Sequence, residues 1–288
     1  MTNKTVALLH PGNMGATIGV AAATSGARMV WVSERRSKAT HDRARDARLR
    51  DVKTITNAVN ECEVILSVCP PDAAIDLARE VAQHRFKGIY VDANAVSRAT
   101  AQQICEIVTG AGADFVDGGI IGSPVKRPGT TRMYLSGEHA PEIAALFTDS
   151  MLDAKTIGAE PGAASALKVA YAAWTKCTDA LLLAIRTFAA TEGVDRALLQ
   201  EWAISQPDLE RRSQQAAAVA TPKAWRYVGE MKEIAATFEA AGLPAGFHNA
   251  AAEIWQRLAP FKDQADPLPA ITDVIDSLRV TEESLFSK

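Results

Sequence analysis

Short apolar runs alternate with amphipathic stretches through the first half of the chain. The runs predict strands, and the stretches between them carry the spacing of helices with one apolar face. Strands that alternate with helices favour a parallel, doubly wound sheet. The strands are predicted at 4–10, 28–32, 63–69, 88–92 and 114–117, with an edge strand at 131–136, and the helices at 38–50, 72–84, 99–110 and 139–149.

Strand signals vanish after Gly162, and helical periodicity continues to about residue 258. Breaks are predicted near Pro207, Pro222 and Pro244, and a last helix at 268–279. The predicted fold class is therefore α/β, a Rossmann-like doubly wound parallel sheet followed by an all-α domain with a long central helix. We expect a dinucleotide-binding domain over 1–160 and a helical substrate and dimerisation domain over 161–288.

The long central helix is predicted from Gly162 to about Gly193 and is rich in alanine. Its charged residues make it unsuited to crossing a bilayer, and its apolar content makes it unsuited to being a solvated linker. At 1.5 Å per residue it is about 48 Å long, more than one small domain can cover. We therefore expect a homodimer through the helical domain. Lys168, on the first turns, would lie where the two halves meet, and the chemistry is expected there.

Composition adds limits rather than a function. The chain has 288 residues, 48% of them hydrophobic, which is enough for two domains with their own cores. Its net charge of -3 gives no electrostatic reason to expect nucleic acid or a membrane surface as partner. The four cysteines lack the close pairing of a zinc site, so no metal is expected and reduced thiols are predicted. No signal-like segment opens the chain, which predicts a cytoplasmic protein.

A glycine turn joins the first strand to the first helix. Such a turn lets the backbone approach a pyrophosphate, which the helix amides and the helix dipole then stabilise. In the fingerprint G-x-G-x-x-G, His10 stands at the first glycine position, Gly12 at the second and Gly15 at the third. The turn therefore predicts a dinucleotide site, with contacts from Pro11, Gly12, Asn13 and Met14.

The end of the second strand bears on the choice between NAD and NADP. Glu34 could bind a ribose diol, whereas Ser33, Arg35 and Arg36 could bind a 2′-phosphate. Guanidinium groups form charge-assisted, forked hydrogen bonds with phosphate, which favours NADP while leaving NAD possible. The alternative interpretation is that these arginines belong to a run of charged side chains that is solvated on the protein surface.

Five motifs follow one another along the first part of the chain. They are Gly12-Asn-Met-Gly15, the strand end Pro70-Pro71-Asp72, Asp92-Ala-Asn94-Ala-Val-Ser97, the glycine segment after Asp117, and the helix that carries Lys168. Their order resembles the β-hydroxyacid dehydrogenase family, which includes 3-hydroxyisobutyrate dehydrogenase and 6-phosphogluconate dehydrogenase. The second half, with Trp174 and the segment 225–231, resembles a subgroup with a 6-phosphogluconate-dehydrogenase-like C-terminal domain whose substrates are largely undefined.

The resemblance implies hydride transfer between a nicotinamide cofactor and a small hydroxy acid, with Lys168 as general acid/base. The family's substrate turn corresponds to 117–123, where Ile121 replaces a serine; in its catalytic helix Ala164 replaces a glycine and Ala172 an asparagine. The candidate substrate residues around this turn are Ser97, Ile121, Gly122 and Ser123. Helical spacing relative to Lys168 adds Tyr171 and Thr175, and His248 is a candidate as the one histidine of the helical domain. Further cofactor residues are Cys69, Pro70, Asn94 and Lys232.

A lysine can exchange the hydroxyl proton if burial lowers its pKa from about 10.4 toward neutrality. Tyr171 or Thr175 lies on the same helical stripe as Lys168 and could replace the missing asparagine; Lys176 is the fallback base. Two alternatives stay open: an imine reductase on the same architecture, and a nucleotide-binding protein without catalysis. Imine reductases generally lack a lysine at this position, which favours the dehydrogenase.

Overall fold

The computed structural model describes residues 4–279. Packing divides the chain into two units between Val169 and Ala170. This division falls inside the long helix, later than the boundary predicted at residue 160, because the first turns of that helix pack on the sheet of the N-terminal unit.

The N-terminal unit contains one sheet of eight strands in the order β3-β2-β1-β4-β5-β6-β7-β8. Neighbouring strands are parallel, except that β6 and β7 are antiparallel. The strands are β1 Thr5–Leu8, β2 Arg28–Trp31, β3 Arg50–Asp51, β4 Val64–Ser67, β5 Ile89–Asp92, β6 Asp114–Gly122, β7 Thr131–Ser136 and β8 Asp153–Thr156. The predicted α/β, Rossmann-like class is confirmed.

Both faces of this sheet are buried. Along β1, Val6 and Leu8 belong to one apolar cluster and Ala7 to a second, as alternating side chains of a doubly covered strand must. This burial explains why the strands read as continuous apolar runs. The helices of the unit are α1 Asn13–Thr24, α2 Lys38–Asp46, α3 Ile55–Glu61, α4 Ala74–Gln83, α5 Arg98–Gly110 and α6 Ala140–Ala145, with a 3₁₀ turn at Pro71–Ala73.

Three elements were not predicted, and two predictions were wrong. β3, α3 and β8 are short and partly polar, so they carry little periodic signal. The predicted turn at 117–123 instead lies largely within β6, which continues to Gly122 because it pairs with β7. β7 is also not an edge strand, since β8 pairs with its other side.

Helices make up the C-terminal unit, as predicted. The breaks near Pro207, Pro222 and Pro244 are confirmed, and no helix among residues 4–279 is long and apolar enough to cross a membrane. The helices are α7 Ala163–Thr191, shared with the first unit, α8 Asp195–Ser205, α9 Leu209–Gln215, α10 Ala224–Ala240, α11 Gly246–Leu258 and α12 Ile271–Leu278. A π turn at Ala216–Ala220 and 3₁₀ turns at Thr221–Lys223 and Ala259–Phe261 connect them.

Candidate functional site

The carboxyl edge of the parallel strands carries most of the predicted site. Between β1 and α1 the chain turns tightly, with the Gly12 amide donating to the His10 carbonyl at 2.8 Å. A Cβ on Gly15 would lie 2.3 Å from that same carbonyl oxygen, whereas a Cβ on Gly12 would meet nothing within 4 Å. Gly15 therefore permits close packing of helix on strand, and Gly12 leaves open space where a cofactor backbone could approach.

Two buried nitrogen atoms at this turn have no hydrogen-bond partner within residues 4–279, His10 Nδ1 and Arg36 Nε. Burial and the nearby Arg36 charge lower the pKa of His10 to about 4, so the imidazole is neutral at pH 7. Burial also lowers the pKa of Arg36, which remains a cation. Buried polar atoms without partners are uncommon in folded proteins. They fit a site that is completed by a polar ligand.

The segment after β2 presents more cationic groups to the same edge. Arg35 is exposed and adopts a left-handed backbone conformation at φ 57°. Ser33 is half-buried beside them, and Arg35 and Arg36 are the cationic groups of this segment suited to a phosphate. Glu34, the predicted NAD-type acid, is exposed.

Arg43 of α2 connects this segment to the glycine turn. Its Nε donates to the Pro11 carbonyl at 3.1 Å and its Nη2 to Thr40 Oγ1 at 3.1 Å. Ser37 accepts from the Thr40 amide and so caps α2. Arg43 was not predicted as part of the site, because α2 has the pattern of a polar surface helix and nothing in its spacing indicates a contact 32 residues away.

Asn94 joins the ends of β4 and β5. Its Oδ1 accepts from the Cys69 amide at 2.6 Å, and its Nδ2 donates to Ser67 Oγ and Asp92 Oδ1. Burial and neighbouring Asp117 raise the pKa of Asp92 to about 7. Burial raises the pKa of Cys69 to about 11, so its thiol is protonated and inert. Asn94, Cys69 and Pro70 thus form a fixed wall beside the glycine turn.

Lys168 lies on the part of α7 that belongs to the N-terminal unit. Its Cβ would be 3.3 Å from a Cβ placed on Gly119 of β6, so the lysine stem passes directly over this glycine. Burial lowers the pKa of Lys168. Within residues 4–279 the ammonium group has no hydrogen bond or ion pair. A half-buried amine without a partner is suited to proton exchange with a ligand.

The predicted substrate residues of the N-terminal unit are in different environments. Ser97 is buried and caps α5 by accepting from the Thr100 amide. Ile121 is buried, so at this position β6 offers an apolar side chain instead of the family's serine. Gly122 and Ser123 are exposed at the end of β6, where Thr131 donates to the Ser123 carbonyl at 2.6 Å.

The remaining predicted residues belong to the C-terminal unit. Tyr171 is partly exposed, and the Thr175 hydroxyl donates to the Tyr171 carbonyl on the same helix. His248 is buried against the Phe238 ring at 4.2 Å, which is the environment of a core histidine. Lys232 is exposed in a groove between α10 and α11. The fallback Lys176 is paired with Glu230.

Comparison with known proteins agrees with this arrangement. The model of the NAD binding domain of 6-phosphogluconate dehydrogenase matches residues 5–146, and a domain of unknown function, DUF1932, matches residues 189–258. An uncharacterised 28.5 kDa protein of Methanothermus fervidus is 31% identical over 165 residues, which are 57% of this chain and 63% of that protein. The chain thus spans less than two thirds of this curated relative.

Solved structures share the fold along most of the chain. A conserved protein of unknown function, described as structurally similar to 3-hydroxyacid dehydrogenases, is 26% identical with a TM-score of 0.73, over 89% of this chain and 97% of that one. A 3-hydroxyisobutyrate dehydrogenase of Mycobacterium tuberculosis, solved with L-serine, has a TM-score of 0.71 at 18% identity, over 97% and 100% of the two chains. At that identity the likeness concerns the fold alone.

The predicted resemblance is confirmed: the match to the NAD binding domain of 6-phosphogluconate dehydrogenase and the shared fold fit the β-hydroxyacid dehydrogenase family. The C-terminal match to DUF1932 fits the predicted subgroup of that family.

Proposed function

We propose that the protein is an NADP-dependent oxidoreductase that moves a hydride between nicotinamide and a small hydroxy acid or a related alcohol or carbonyl compound. The observation that carries this proposal is Lys168, a half-buried amine without a partner in the described chain, held over Gly119 beside the carboxyl edge of the sheet. A bound nicotinamide cofactor supplies the hydride acceptor or donor.

Lys168 supplies the proton chemistry in this proposal. In the oxidising direction the neutral amine takes the hydroxyl proton as the hydride leaves the carbinol carbon, and in the reducing direction the ammonium returns that proton to the carbonyl oxygen. Because burial lowers the lysine pKa, the neutral base is available at lower pH than for a surface lysine. We therefore expect the rate of oxidation to rise with pH, with the rise placed below the ordinary lysine pKa of about 10.4.

NADP is the proposed cofactor because the carboxyl end of β2 is cationic. Arg36 Nε is buried without a partner in the described residues, and Arg35 lies next to it. A 2′-phosphate would pair with both guanidinium groups, and the unpartnered His10 Nδ1 could take a further cofactor hydrogen bond. Reductive aminases of the same fold hold NADPH.

A screen of purified protein tests this function. Small hydroxy acids, hydroxy-amino acids and sugar acids are offered with NADP and with NAD, and absorbance at the reduced-nicotinamide wavelength is followed. We expect turnover with at least one hydroxy acid and tighter binding of NADPH than of NADH. An Arg36→Ala variant should lose that preference, whereas Arg45→Ala, an exposed arginine of α2, should keep it. Tighter binding of NADH to the unaltered protein would reject the cofactor assignment.

Cyclic imines with NADPH form the second arm of the screen, because an imine reductase shares this architecture. Turnover of imines but of no alcohol would favour that alternative. Tight NADPH binding without any turnover would favour a nucleotide-binding protein that lacks catalysis. The proposed location in the cytoplasm rests on the sequence.

The partner we propose is a second copy of the chain, bound through α7. The charges of this helix in the C-terminal unit point inward: Lys176 pairs with Glu230, and buried Arg186 pairs with Asp195. Its outer face is apolar, with Tyr171 44%, Trp174 64%, Leu181 56% and Phe188 66% exposed. This inverts the usual polarity of a surface helix and indicates an interface.

The spacing of the outer face favours a helix of the same kind as its partner. Trp174, Leu181 and Phe188 recur every seven residues, and Tyr171 precedes Trp174 by three, the pattern of one seam of a helix pair. The seam is apolar, and we propose an antiparallel pair in which Tyr171 of one copy lies beside Phe188 of the other. An aromatic side chain can bury about 150–250 Å², so the exposed fractions of Tyr171, Trp174 and Phe188 offer on the order of 350 Å² of surface to a partner. This is a little under half of the about 800 Å² that each partner buries in a standard interface.

Changing this seam should dissociate the dimer. The double variant Trp174→Glu and Phe188→Glu places charge in an apolar contact and is expected to sediment as a monomer at micromolar concentration, where the unaltered protein sediments as a dimer. Ile204→Glu is the matched control, because Ile204 is an apolar side chain that is 83% exposed on α8 and not on α7. Monomers of the unaltered protein would contradict the proposal.

A further inference from the structure

A buried polar cluster fastens the start of α7 to the sheet of the N-terminal unit. Asp117, fully buried on β6, accepts three hydrogen bonds: from the Ser165 amide at 2.9 Å, from the Ser165 hydroxyl at 2.5 Å and from the Ser136 hydroxyl at 3.1 Å. Ser136 Oγ in turn accepts from the Ala164 amide at 3.1 Å. The cluster thus holds the first turn of the helix from both β6 and β7.

This fastening determines where Lys168 lies. Lys168 is three residues beyond Ser165, so it follows one helical turn above the anchored residue on the same face. Gly119 is two residues beyond Asp117, so both face the same side of β6. Gly119 allows the close approach, because a Cβ there would lie 2.6 Å from the Ala164 carbonyl oxygen and 3.3 Å from Lys168 Cβ. Asp117 and Gly119 of β6 therefore lie against Ser165 and Lys168 of α7, respectively.

We propose that Asp117, with Ser136 and Ser165, is a positioning group that fixes the register of α7 on β6 and thereby the depth at which the Lys168 amine is held. It acts through the helix and does not touch the substrate. The inference rests on the proposed function only for its consequence on turnover, since the placement of the lysine can be measured without a substrate.

A positioning role and a countercharge role of Asp117 predict opposite changes in the pKa of Lys168 when Asp117 is removed. Burial is the cause of the lowered pKa of Lys168. If Asp117 acted as a countercharge, removing it would lower the lysine pKa further. If Asp117 acts by position, removing it lets the first turn move outward, hydrates the amine and raises the lysine pKa toward its ordinary value.

Asp117→Asn distinguishes these two roles. Asparagine keeps the shape, but only one of its two terminal atoms can accept hydrogen bonds, and its amide nitrogen faces donors. Lys168 is titrated by trace acetylation with acetic anhydride at a series of pH values, and peptide mass spectrometry reports the midpoint. We expect the midpoint to rise by about one pH unit or more, and kcat to fall on the order of 10²-fold, as for a misplaced catalytic group.

Further variants keep the test decisive if Asp117→Asn does not fold. Ser165→Ala and Ser136→Ala each remove part of the cluster and should shift the midpoint in the same direction by less. Ser25→Ala is the matched control. Ser25 is a buried serine at the opposite edge of the sheet, and its hydroxyl accepts a hydrogen bond from the Asp149 amide at 3.1 Å. This variant should leave the Lys168 midpoint unchanged. A midpoint that is unchanged or lower in the folded cluster variants overturns the proposal.

The two failures are distinguishable. A Lys168→Met variant with undiminished turnover would reject Lys168 as the general acid/base of the proposed function, while the labelling midpoint in the Asp117 variant would still decide the positioning role. If Lys168 proves essential for turnover but its labelling midpoint is unchanged in the Asp117→Asn variant, only the positioning role is rejected.

Discussion

Replacing Lys168 with methionine is expected to lower kcat by about 10²–10⁴-fold, the usual contribution of a general acid/base, while the Kd for NADPH stays within a factor of two or so. Methionine keeps the length and apolar stem of lysine, so the packing over Gly119 survives and only the exchangeable proton is lost. Steady-state kinetics on the best substrate of the screen, with NADPH binding followed by fluorescence, measure both quantities.

Lys176→Met is the matched control on the same helix. Lys176 pairs with Glu230 and lies 4.8 Å from the centre of the Tyr227 ring, a structural environment. We expect its loss to reduce stability more than turnover. If Lys176→Met abolishes turnover and Lys168→Met does not, the catalytic assignment passes to Lys176. The pH profile gives a second check, because the rise in oxidation rate attributed to Lys168 should vanish from the Lys168→Met profile.

The two glycines of the cofactor turn should respond differently to the same substitution. Gly15→Ala places a methyl group 2.3 Å from the His10 carbonyl oxygen, so α1 must move away from β1. Overpacking of this kind costs about 1–3 kcal/mol, and NADPH binding should weaken as well. Gly12→Ala meets nothing within 4 Å, at a φ of -71° that alanine readily adopts. It should therefore keep the free energy of unfolding.

Gly12→Ala should nevertheless weaken NADPH binding at least about tenfold, because its methyl group occupies the space where the fingerprint places the pyrophosphate. Urea denaturation and NADPH titration of both variants separate the two effects. Equal losses of stability in the two variants would contradict these separate roles. Full-strength NADPH binding by Gly12→Ala would contradict placement of the cofactor against this turn.

The sequence was sufficient for the elements whose signal is local. The strand, glycine turn and helix at Gly12 and Gly15 follow from steric rules that act within a few residues, and the doubly covered sheet follows from its continuous apolar runs. The long helix of the second unit was equally plain, because its periodicity extends over many turns.

The connections between distant segments could not be predicted in the same way. Asp117 reads as the start of a turn, and its hydrogen bonds to Ser136 and Ser165 depend on the pairing of β6 with β7. The bond from Arg43 to Pro11 depends on where α2 packs. His248 looked available for substrate, yet helix packing buries it beside Phe238. In each case a tertiary contact decides the role of a residue, and the sequence around that residue does not indicate the contact.

The length of β6 bears on how a protein with the proposed function can change its substrate. β5 ends at Asp92, opposite Asp117, and from there β6 continues to Gly122 in a ladder with β7. Gly119, over which the Lys168 stem passes, thus lies in the part of β6 beyond its parallel pairing with β5. Mutations in β7 can reshape the surroundings of Lys168 while β1, β4 and β5 stay intact, so divergence in substrate and constancy in cofactor are compatible within one sheet.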